Sequence, residues 1–208
     1  MISTNSNHSY FKTFRIESLS DGVFAIAMTL LILEIKIPSP IQIHNDIDFV
    51  NYLSSMNHHI YSYVLSFVTL GIYWIGHHRQ FLFIKHSDRV LLWINVFFLM
   101  SVSMVPFSTG LLGQYSHLKS VVVVYGANIS VIGLLLWLNW EYSYRSSLMT
   151  NDNVDEHTFK SIRIRTLIAP LFYSVGIAFA FYDTNISLTI YAIVQLIYIF
   201  PFKVAKNL

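Results

Sequence analysis

The side chains best equipped for chemistry lie in two short stretches. RIESLSDG (residues 15–22) places Arg15, Glu17, Ser18, Ser20 and Asp21 within two helical turns, directly ahead of the apolar run VFAIAMTLLILEI. WIGHHRQF (residues 74–81) brings Trp74, His77, His78 and Arg79 together. A metal site is a poor use of the histidines. Adjacent residues on a helix point about 100° apart, so they do not share an ion as a pair four residues apart would. No metal ligand and no catalytic residue is assigned. A proton relay is a second use, because an unperturbed histidine pKa of about 6.5 suits one. Asp21 with the helix-two histidines would then serve a secondary transporter, the alternative function. The third use is structural: Arg15, Ser20 and Asp21 pair with His77 or His78, and Trp74 packs beside them.

The apolar run has its own pattern. Gly22, Ile26, Leu30, Leu33 and Ile37 recur at helical spacing along one face, and Thr29 sits beside it. Gly22, Ala25 and Ala27 are small enough to let other helices come close. Two readings fit. One is a packing seam. The other is a pore lining, in which bulky apolar rings make a narrow dehydrating constriction. Glu34 and Lys36 then form a solvated outer rim or shape an outer vestibule.

These residues need a membrane frame. The 208-residue chain is 54% hydrophobic and 12% charged. A soluble domain carries about twice that charged fraction, so the apolar excess must face lipid or an assembly. No basic run points to nucleic acid, and the absence of cysteine excludes disulfides and thiol catalysis. A membrane enzyme would need a carboxylate pair or metal triad, and none stands at useful spacing. A crossing helix needs about 20 apolar residues. Six stretches qualify, at roughly 16–37, 56–76, 90–112, 120–141, 164–183 and 185–203. The first apolar segment is expected to be a retained helix, because residues 1–13 are polar and lack a cleavage pattern. Pro38 and Pro40 are expected to end it, and Pro106 and Pro170 to kink later helices. His44 to Asn57 reads as an outer loop, with His44, Asp46 and Asp48 exposed. Residues 77–89 read as a second loop and 144–165 as the longest. Asp183 to Asn185 forms a tight hairpin. The tryptophans read mostly as interfacial anchors.

Charge sets the expected orientation. With the N-terminus inside, eleven of the thirteen Lys and Arg residues fall on inner segments, and only Lys36 and Lys119 fall outside. The positive-inside rule then favours cytoplasmic N- and C-termini and an even number of spans. The fold class is an all-α integral membrane protein, with residues 1–208 as a single six-helix transmembrane domain.

The stretch RIESLSDGVFAIAMTLLILEI resembles the signature of the transmembrane protein 175 potassium channels, also known as domain of unknown function 1211. That signature is an Arg, three residues, then Phe-Ser-Asp, followed by an apolar run. Arg15, Ser20, Asp21 and the following run match it, while Leu19 replaces the usual Phe. WIGHHRQF and SMVPFSTGLLG (residues 103–113) also resemble the family pattern. The resemblance implies the prokaryotic single-repeat form: a homotetramer in the cell membrane, conducting K+ passively without a cofactor. First helices from four subunits would line one central pore. Ile26 would be its narrowest ring, with Leu30 and Leu33 as further rings and Thr29 offering hydroxyls to a partly hydrated ion. Arg15, Ser20, Asp21, Trp74, His77 and His78 would hold the pore helix in place. The TVGYG carbonyl filter is absent, so selectivity would come from the cost of stripping water at apolar rings.

Overall fold

The computed structural model describes residues 11–38, 44–149 and 155–199. Pro40, Lys203 and Lys206 lie outside them. Among the described residues the chain is almost wholly helical. The helices are α1 (Phe14–Leu30), α2 (Asp46–Ser55), α3 (Asn57–Phe81), α4 (Arg89–Ser103), α5 (Val105–Tyr115), α6 (Lys119–Arg145), α7 (Glu156–Ala180) and α8 (Thr184–Ile199). A 3-10 turn, Leu31–Glu34, extends α1. Four segments are long and apolar enough to cross a membrane: Phe14–Glu34, Arg89–Tyr115, Lys119–Arg145 and Glu156–Ala180. α8 is a shorter apolar helix. α3, with 25 residues, is about 37 Å long, enough to span, but carries more polar side chains.

The helix boundaries differ from the hydropathy reading for local reasons. α1 tightens at Leu31 and ends at Glu34, short of Pro38. The β-branched residues Ile32, Ile35 and Ile37 weaken the helix there, and Pro38 biases Ile37 toward an extended backbone. α2 was expected as loop. Asn45 caps it by accepting from the Asp48 amide at 2.9 Å, and Asp46 and Asp48 sit at its positive end. α3 runs on through residues 77–81, which read as loop, because His77 and Gln80 are buried with polar partners. Gln80 Nε2 donates to the Leu136 carbonyl at 3.0 Å, and Asn139 Nδ2 donates to Gln80 Oε1 at 2.9 Å.

The third expected span is two helices, broken at Met104. Pro106 has no N–H to offer the carbonyl of Val102, and it suits the first turn of α5 instead. Pro170 lies inside a continuous α7, where Gly133 leaves room for its ring. α7 starts earlier than expected, within the supposed long loop. Asp155 accepts from the Thr158 amide at 3.0 Å, and Glu156 pairs with Lys160 at 2.7 Å. The hairpin between α7 and α8 is as short as expected: residues 181–183 join them. Trp140 is no surface anchor. It is fully buried against Phe159, and its Nε1 donates to the Phe159 carbonyl.

Contacts gather the loops at two opposite ends. At the basic end, a strand at Phe11–Lys12 pairs antiparallel with His86–Ser87. Ile84 bridges Met149, and Arg163 pairs with Glu141. Ile16, Phe81, Ile84, Leu91, Trp140 and Phe159 make a small apolar cluster there. At the other end, Ser116 meets His58, Lys119 Nζ donates to the Phe181 carbonyl, and Tyr52 donates to that of Lys36. The main core lies between, built from α1 and α3 to α8.

Candidate functional site: the first helix and its polar anchor

α1 has two different sides. Ile16, Ser20, Phe24, Ala27 and Leu31 form one buried stripe at helical spacing. Phe24 and Leu31 are 1% and 0% exposed, and Phe24 packs against Phe98 of α4 at 5.8 Å. On another side, Leu19, Gly22, Ile26, Thr29, Leu30 and Leu33 lie uncovered by the rest of the chain. Ile26 is 61% exposed and Leu33 is 69% exposed. Nothing lies within 4 Å of where a Cβ on Gly22 would sit. Thr29 Oγ1 donates back to the carbonyls of Ala25 and Ile26, at 2.8 and 2.9 Å, which leaves its lone pairs facing outward.

A polar knot fastens the buried side. Ser20 Oγ lies 3.4 Å from His77 Nε2, and the same nitrogen lies 3.2 Å from Asn95 Oδ1. Ser20 already donates to the Ile16 carbonyl at 2.8 Å, so toward the histidine it accepts. The Nε2–H tautomer of His77 therefore serves two acceptors. The imidazole is stacked on Phe98 at 5.2 Å and lies 4.5 Å from Phe81. Ser20, His77 and Asn95 are all buried, and together they join α1, α3 and α4. Buried polar groups are costly unless paired, so the pairing fixes how these helices meet.

A second, exposed contact lies beside the knot. Trp74 Nε1 donates to Asp21 Oδ1 at 2.8 Å, and Trp74 stacks on His78 at 6.0 Å. The structure thus brings Ser20 to His77, and Asp21 to Trp74 instead of a histidine. His78 faces outward on Trp74. Arg15 is exposed and takes part in no ion pair among the described residues. Asn95 was missed at the sequence level. A lone amide in the apolar run RVLLWINVFF was the available signal, since polar residues at membrane depth usually have a partner. Toward the far end, the half-buried Glu34 carboxylate packs so closely on Gly110 of α5 that any side chain there would collide with it. Among the described residues, no group of three or more metal-binding side chains comes together.

The fold and this anchored helix define a multi-pass membrane protein whose first helix leaves one apolar face free of its own subunit. Known proteins narrow it further. Residues 15–106 match the family described as endosomal/lysosomal potassium channel TMEM175. A potassium channel of Streptomyces collinus is 32% identical over 88% of this chain and 90% of its own length. An endosomal/lysosomal proton channel of Danio rerio is 32% identical over 70% of this chain, but over only 31% of its own length. The crystal structure of a lysosomal potassium-selective channel TMEM175 homolog from Chamaesiphon minutus superimposes with a TM-score of 0.79. That match has 29% identity and covers 90% of this chain and 96% of the other. The chain belongs to the TMEM175 family, a family of channels and not of enzymes.

Proposed function

We propose that the protein is a passive potassium channel of a prokaryotic cell membrane, and that the uncovered side of α1 lines its pore. One observation carries the reading: α1 is locked on one side by Ser20, His77 and Asn95, while Ile26, Leu30 and Leu33 stand free of their own subunit. A helix that served only to pack its own bundle has no use for such a face. Gly22 and Thr29 on the same side also argue against a face made only for lipid. Close to a symmetry axis, Ile26 forms the narrowest ring, Leu30 and Leu33 form further rings, and Thr29 meets partly hydrated ions. Such rings discriminate by the cost of removing water, and they close by dewetting. Potassium holds its water less tightly than sodium and passes at lower cost. The ion is the permeant species, and no cofactor is required.

The same reading includes six spans in a single domain over residues 1–208, with both termini cytoplasmic, and a homotetramer. α1 with its 3-10 turn, α3, α4 with α5, α6, α7 and α8 supply the spans. The gathering of basic loops at one end supports the orientation. Arg15, Ser20, Asp21, Trp74, His77 and His78 support the pore helix, and Asn95 joins them. The test is reconstitution into liposomes with a potassium or a sodium gradient. Passive flux that prefers potassium is expected. Saturable flux strictly coupled to protons would overturn the channel reading in favour of a transporter.

A further inference from the structure

Away from α1, an open groove lies between α3, α6, α7 and α8 near the basic end. Its body is apolar, with Ile72, Ile75 and Leu136 along it, and its charged lining residues are Arg79 and Arg165. Both arginines are exposed, and neither takes part in an ion pair among the described residues. The α6 carboxylate, Glu141, is engaged by Arg145 at 2.6 Å and by Arg163 at 3.2 Å. The Arg165 guanidinium is instead held over the Tyr198 ring at 5.6 Å, and the Tyr198 hydroxyl donates to the Arg165 carbonyl. Two positive charges without acidic partners therefore crown an apolar trough. Arg79 lies in the last turn of α3 and Arg165 just before the apolar part of α7, which the proposed spans would put near a membrane surface.

We propose that this groove binds one anionic phospholipid. Its phosphate lies between Arg79 and Arg165, and an acyl chain lies along Ile72, Ile75 and Leu136. The occupant must be negative at one end and apolar for the rest of its length. In a bilayer, a phospholipid is the molecule that meets both requirements beside such a groove. Guanidinium groups suit it because they present planar pairs of donors to phosphate oxygens. Basic pockets between helices on the cytoplasmic side are a recurrent form of headgroup site.

The test reads bound lipid and does not depend on conduction, so it stands or falls separately from the channel reading. The full-length protein is extracted from vesicles of equal parts phosphatidylglycerol and phosphatidylcholine, and retained lipid is measured by native mass spectrometry. The wild type is expected to retain phosphatidylglycerol over phosphatidylcholine by roughly tenfold, and inorganic phosphate is expected not to displace it. Arg79→Gln with Arg165→Gln is expected to abolish that preference. Ile75→Trp, which keeps both charges and fills the trough, is expected to lose the lipid as well. Arg79→Lys with Arg165→Lys, which guards against simple misfolding, is expected to keep part of the preference. Equal retention of the two lipids by the wild type would overturn the proposal. So would an undiminished preference in the double Gln variant, or a groove that a neighbouring subunit covers so that no lipid is retained.

Discussion

The two sides of α1 carry the same kind of residue and meet opposite fates. Phe24 and Leu31 vanish into the subunit, while Ile26 and Leu33, close by on the same helix, remain uncovered. Hydrophobicity does not separate them. What separates them is the partner: Phe98 receives Phe24, and the Ser20–His77–Asn95 knot fixes the rotation of the helix so that Ile26 is turned away. An apolar face is thus assigned to the core or left uncovered by a few buried polar contacts, because these have few satisfactory geometries while apolar contacts have many.

That contrast can be broken by mutation. Phe24→Ala is expected to have the largest effect, about 3–5 kcal/mol of lost stability, because it opens a cavity in the core. Ile26→Ala, on the uncovered side, is expected to cost under about 1 kcal/mol, because little packing is lost at an exposed position. Thermal unfolding of the solubilised protein compares them, and equal costs would mean that the two faces are packed alike. Asn95→Leu comes next. It leaves the His77 N–H with Ser20 alone and is expected to cost about 1–3 kcal/mol in the same assay. A melting point unchanged from wild type would show that the knot does not set the helix rotation.

Smaller effects fall on the uncovered side. Ile26→Asn would replace the proposed apolar ring with amides that can stand in for water. The ratio of potassium to sodium permeability is expected to fall by roughly tenfold, or about 1.4 kcal/mol of discrimination, with conductance raised. Liposome flux in the two gradients measures it, and an unchanged ratio would remove Ile26 from the filter. Trp74→Phe is expected to do least. It keeps the ring and loses the bond to an exposed Asp21 carboxylate, which is worth about 1 kcal/mol or less. A loss comparable to that of Asn95→Leu would mean that the Trp74–Asp21 contact anchors the helix equally.

Much of the fold was legible because membrane helices announce themselves by length. The segments near 120–141 and 164–183 lie within α6 and overlap most of α7, and the tight turn at Asp183 stands where its polar residues put it. Hydropathy failed where polar side chains are buried with partners. His77 and Gln80 look like loop residues, and they are helical because Asn95, Asn139 and the Leu136 carbonyl satisfy them from other elements. Glu156 to Arg163 look like loop for a different reason, since their polar side chains are mostly exposed, and the local Asp155 cap with the Glu156–Lys160 pair makes them helix.

The sequence by itself determined that the chain is a helical membrane protein, that its basic loops share one side, and that RIESLSDG opens an unusual first helix. Composition, run length and charge asymmetry are summed properties of the chain, so no folded partner is needed to read them. Only the tertiary structure decided that Ser20 faces His77, that Asp21 faces Trp74, and that Ile26 is left free. Those pairings join residues more than fifty positions apart, and their geometry exists only once the helices have packed.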